Sequence, residues 1–107
     1  MIKITYYLKY HQVTIEGHAQ AAPKGEDLVC AAVSALWHTL AANAMVWKDQ
    51  GYLMDLRIKE IEGYAQVSYA PKSKWANILG AITGGICIGL EILARDYPEH
   101  ITYQRMG

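Results

Sequence analysis

The chain alternates between two hydrophobic rhythms. Ile2 to Leu8 and Val13 to Glu16 place apolar residues at every second position, many of them β-branched or aromatic, which predicts a hairpin joined across the polar stretch Lys9–Gln12. From Leu28 the period changes. Val29, Val33, Leu36, Leu40 and Trp47 share one face of a long, half-buried helix that runs to about Lys48, with Gly51 as its stop. Alternation returns over Leu53–Lys59 and Tyr64–Tyr69, with Glu60–Gly63 as the turn of a second hairpin that Pro71 closes. Ser73 to Tyr97 predicts a second helix, capped by Ser73 and ended by Pro98. Gly80, Gly84, Gly85 and Gly89 would give it a smooth face against the alanine-rich first helix. The alternative is that they break it, because each costs about 1 kcal/mol relative to alanine. His100 to Gln104 reads as a last strand. The order ββαββαβ implies an α+β fold with two packed helices against a mainly antiparallel sheet.

Composition narrows the class. The 107 residues suffice for one core, so residues 1–107 are expected to form a single domain. Ten basic and ten acidic side chains cancel, which leaves no electrostatic footprint for nucleic acid or an anionic membrane. Leu28–Trp47 carries no formal charge over the length of a membrane span. Ser34, His38, Thr39 and Asn43, the many alanines and the lack of a flanking Lys/Arg asymmetry argue against spanning. MIKITYYLKY has neither a basic n-region nor a small-residue cleavage site, so a cytoplasmic location is expected. Cys30 and Cys87 have no CxxC spacing and no ligand cluster around them. They read as free thiols, with no metal and no cofactor expected.

The chemistry concentrates in Gly17–Ser34. Glu26 and Asp27 follow Pro23 and Gly25, and with Asp27 as cap the helix would open at Leu28 and hold Cys30 in its first turn. The unpaired amides and the dipole there favour a negative charge, and hence a thiolate nucleophile. The same amides would serve as an oxyanion hole. Ser34 lies one turn on, where its hydroxyl can meet the thiolate or a bound peptide. His18 follows a strand end and can reach Cys30 across a loop, as a base must. Residues alone leave the bland alternative open, a packed thiol and a surface imidazole.

The stretch GHA, a variable loop and then GEDLVCAAVS, together with the ending GLEILARDYPEHI, resembles the bacterial ribosomal-processing cysteine proteases over nearly the whole chain. The resemblance implies His18 as base, Cys30 as nucleophile, and Asp27 and Ser34 as supporting residues. Gly17, Ala19, Gln20, Pro23, Gly25 and Glu26 would belong to the substrate loop. It also implies a homodimer that removes a short N-terminal extension from a large-subunit ribosomal protein, cutting after aromatic residues. Phage-linked relatives extend the possible substrates to capsid or scaffold proteins. Two departures stand out. Relatives commonly have a glycine and an aromatic after GHA, where this chain has Gln20 and Ala21, and Pro23 stiffens the loop.

The remaining candidates read as structural. Cys87 sits among isoleucines in mid-helix, where burial makes a thiol inert. His38 is eight residues past Cys30, about 12 Å along a helix, too far to be its direct base. It reads as a surface or interface histidine, and His11 and His100 as solvated imidazoles. Trp37, Trp47 and Trp75 read as core or dimer contacts rather than a substrate groove. A non-catalytic peptide-binding adaptor and a redox pair of Cys30 with Cys87 are the alternatives from other classes.

Overall fold

Five strands and two helices follow one another as β1 (Ile2–Tyr7), β2 (Gln12–Glu16), α1 (Lys24–Asp49), β3 (Leu53–Ile61), β4 (Tyr64–Pro71), α2 (Ala76–Asp96) and β5 (Ile101–Met106). The computed structural model describes residues 1–17 and 24–107, with only the backbone of 24–27. The strands form one mixed sheet in the order β3-β4-β2-β1-β5. Neighbours are antiparallel except β1 and β5, which run parallel. The exception follows from the connection: a helix between β4 and β5 returns the chain to the end it left, so β5 keeps the direction of β4.

Period-two alternation decides what faces the helices. One row across the sheet aligns Ile58, Val67, Val13, Tyr6 and Arg105, and another aligns Glu60, Ala65, Ile15, Ile4 and Tyr103. Ile4, Val13 and Val67 from these rows are almost completely buried, together with Leu40 and Ala44 of α1 and Leu79 and Leu90 of α2. The opposite face carries a polar row, Lys59, Gln66, Thr14, Thr5 and Gln104. A buried hydrogen-bond cluster ties α2 to the sheet: the Tyr69 hydroxyl lies 2.6 Å from Thr83 Oγ1, and Thr83 donates to the Leu79 carbonyl at 2.9 Å.

Several expectations change. α1 begins at Lys24, not after an Asp27 cap, so Asp27 lies inside the helix. Ser73 opens a short 3-10 turn, Ser73–Trp75, and does not cap α2, whose N-cap is Trp75 without a side-chain hydrogen bond. The glycines do not break α2, and three of the four take no part in its contact with α1. Gly80, Gly84 and Gly85 face open space, and Gly89 alone meets α1, at Leu36. Strand β3 continues through Glu60 and Ile61, leaving Gly63 in the turn with φ +78°. Two helices, Leu28–Asp49 and Ser73–Asp96, are long and apolar enough to cross a membrane by length and composition. Both supply residues to the shared core, which is why their apolar stripes are so full.

His11 is not a freely solvated imidazole. It takes a left-handed backbone, φ 48°, at the end of a 3-10 turn (Leu8–Tyr10), and its ring lies 5.0 Å from that of Tyr69. Burial pushes its pKa below the ordinary 6.5. The unfolded chain therefore binds this proton at higher pH than the folded one, so the stability His11 contributes is complete above pH 6.5 and is lost as the pH falls through the folded value. Urea denaturation between about pH 7 and 5 should show a steeper acid loss in the native protein than in His11→Asn, asparagine being tolerant of the left-handed backbone.

Candidate active site

Burial of one stripe of α1 leaves the neighbouring row at the border between helix and sheet. Cys30, Ser34 and His38 are spaced four apart, so they climb one side of α1 turn by turn. Opposite them stand Glu60 and Ile61 at the end of β3, Gly63 in the turn, and Tyr64 and Ala65 at the start of β4. Together with Ile2, Ile15, Gly17, Val33 and Trp37 they enclose an open groove of about 210 Å³. Cys30 is half-buried, and its side chain reaches this groove while packing on the core.

A polar chain runs along the groove wall. Ser34 Oγ lies 3.0 Å from His38 Nδ1, and His38 Nε2 lies 3.1 and 3.3 Å from the two carboxylate oxygens of Glu60. An ionised carboxylate only accepts, so Nε2–H is the donor to Glu60. Trp37 packs edge-on to His38 at 5.1 Å between ring centres. Its indole N–H is buried and meets no acceptor among the described residues, an arrangement that costs about 1–3 kcal/mol in a closed interior.

Of the sequence-predicted site residues, the structure brings Cys30, Ser34 and Gly17 to the groove. Gly25, Glu26 and Asp27 form part of the first turns of α1, described by their backbone only. His18, Ala19, Gln20, Ala21 and Pro23 lie outside the described residues. One argument is corrected. Cys30 is the seventh residue of α1, beyond the first turn, so neither the macrodipole, which fades within a turn, nor the helix's unpaired first-turn amides act on its sulfur.

Sequence reasoning missed one groove residue, Glu60, and underrated two. His38 is exposed, as expected, yet it is bonded on both ring nitrogens. Glu60 was assigned to the turn. Extending the β3 alternation by one step, Leu56, Ile58, Glu60, puts it on the helix-facing side. Trp37 is core, but it also lines the groove.

Cys87 is the other kind of thiol. It is 1% exposed, and burial pushes its pKa up to about 12, against a weaker opposing hydrogen bond with Tyr103.

An α+β domain whose helix presents a half-buried thiol to an open groove, between a hydroxyl and a hairpin wall, has a thiol within reach of a bound ligand. The profile of the family described as cysteine protease Prp matches residues 1–102, so the chain belongs to that family. The ribosomal processing cysteine protease Prp of Mycoplasma pneumoniae is 29% identical to it over 104 residues, 97% of this chain and 94% of that protein. The crystal structure of the essential ribosomal processing protease Prp from S. aureus with a substrate peptide is similar with a TM-score of 0.74 at 20% identity, covering 98% of this chain and 99% of that one. A Streptococcus mutans crystal structure gives a TM-score of 0.68 at 22% identity, covering 98% and 91%. These structural likenesses establish the shared fold.

Two outcomes follow from the site geometry. Limited alkylation of the folded protein near neutral pH should label Cys30 and leave Cys87 unmodified until denaturant is added, as peptide mass mapping will read. Gly17 holds φ +89°, and a Cβ there would run into the backbone carbonyl oxygen of Met1. Gly17→Ala should therefore lower unfolding stability by about 1–3 kcal/mol in denaturant titration.

Proposed function

We propose that the chain is a cysteine endopeptidase that removes a short N-terminal extension from a large-subunit ribosomal protein, with Cys30 as nucleophile and His18 as general base and acid. The observation that carries this reading is Cys30 opening on the groove in a chain that the Prp family profile matches almost from end to end. Substrate class is supported by the relatives, which are named as ribosomal processing proteases. In the reaction the Cys30 sulfur attacks the scissile carbonyl and forms a thioester. His18 passes the thiol proton to the departing amine, and water then hydrolyses the thioester to free the acid. Ile61, exposed at the rim of the groove, offers the apolar surface that an aromatic residue before the cut would cover.

The protein works in the cytoplasm as a homodimer on this reading. Ile78, Ile82, Ile88 and Ile92 on α2 are exposed and supply an apolar face suited to a second copy.

Incubation with a peptide carrying the ribosomal extension should give two products by mass spectrometry. Cys30→Ala and His18→Ala should each slow cleavage by roughly three orders of magnitude or more. Cleavage that persists in Cys30→Ala refutes the nucleophile, and tight binding without product points instead to an adaptor.

A further inference from the structure

We propose that His38, anchored by Glu60, is a positioning residue: it sets which way the Ser34 hydroxyl points along the groove and, when protonated, turns that hydroxyl's hydrogen toward Cys30. The inference rests on the reading of Cys30 as nucleophile. It concerns how a residue too far away to be the base nevertheless acts on the thiol.

The argument is one of donors and acceptors. Glu60 takes Nε2–H in either protonation state of the ring, because a carboxylate has no hydrogen to give. With the ring neutral, Nδ1 is bare and must accept, so the single Ser34 hydrogen is spent on the 3.0 Å contact and only lone pairs face the groove. With the ring protonated, Nδ1–H donates to Oγ instead. The Ser34 hydrogen is then free to turn away from His38, down the groove wall.

Helix geometry says where it turns. Side chains on an α-helix lean toward the N-terminus, so His38 lies over Ser34 and Ser34 lies over Cys30, one turn at each step. Both Ser34 and Cys30 line the groove. A Ser34 O–H released from His38 has the Cys30 side chain one turn below it on the same face, and a hydrogen bond to a thiolate favours the charged, reactive form. Among the described residues, the titratable groups that share the groove with His38 are Glu60 from β3, Tyr64 from β4 and Cys30 from its own helix.

A purely stabilising role does not account for the arrangement. His38 and Glu60 are 53% and 54% exposed, and an ion pair that wet contributes little to folding. For the same reason both residues can be replaced without loss of the fold.

The test is the kcat and KM of peptide cleavage across about pH 5–9 for the native protein, Ser34→Ala, His38→Gln and the double variant. Because Ser34 acts on the thiolate itself, the pH dependence of the native to Ser34→Ala ratio carries information on His38 only when set against the same ratio in the His38→Gln background. The ratio of kcat should be about 10-fold at the acid end and smaller at the alkaline end, while KM moves little. In the His38→Gln background the same Ser34→Ala ratio should be small and flat with pH. Glu60→Gln should lower kcat by a larger factor in the native background than in Ser34→Ala. A flat ratio in the native protein, or an equal slope in the His38→Gln background, overturns the proposal. Cleavage that survives Cys30→Ala overturns it together with the nucleophile assignment, whereas cleavage that depends on Cys30 with a flat ratio refutes the role of His38 alone.

Discussion

The burial of a single stripe of α1 against the sheet governs the rest of the molecule. Val29, Val33, Trp37, Leu40, Ala44 and Trp47 are each nearly inaccessible, and together they fix the rotation of a 26-residue helix about its own axis. Successive residues on a helix are about 100° apart, so locking Val29 inward places Cys30 at the edge of the contact. The same rotation sends Ser34 and His38 to that edge. The groove is therefore a consequence of core packing, and any change that rolled α1 would move all three side chains at once.

Opposite this helix the sheet contributes little chemistry beyond one carboxylate. Glu60 stands in a row otherwise made of Ala65, Ile15, Ile4 and Tyr103, and it escapes burial because β3 is the edge strand. There it meets His38, and the pair closes the groove wall with polar atoms while Val33, Trp37 and Ile61 keep the remainder apolar. The two cysteines show what position does to one functional group. Cys30 reaches the groove, whereas Cys87, packed in α2 beside Tyr103, is driven toward its neutral form by loss of solvent.

Much of this architecture is written locally. The switch between period two and period 3.6 marks every strand and helix, and Gly51, Gly63 and Pro98 fall just beyond or between elements, where backbone freedom or a missing amide ends regular structure. The misreadings share a cause. Gly25 looks like a loop residue, and four glycines leave open the alternative of a broken helix, yet α1 starts at Lys24 and α2 runs unbroken. A glycine penalty of about 1 kcal/mol is smaller than the packing of a long apolar face, so tertiary burial overrides the local preference.

By itself the sequence determined the element order, the α+β class, the family resemblance and the burial of Cys87, because each depends on periodicity or on neighbours a few residues away. Tertiary structure alone decided that β5 lies parallel beside β1 and that His38 joins Ser34 to the Glu60 carboxylate. Those facts depend on contacts between residues 22 positions apart or more, which chain closure and core packing set and no local pattern encodes. Cys30 owes its position to the same closure. It is placed by the rotation of a buried helix, and not by that helix's first turn.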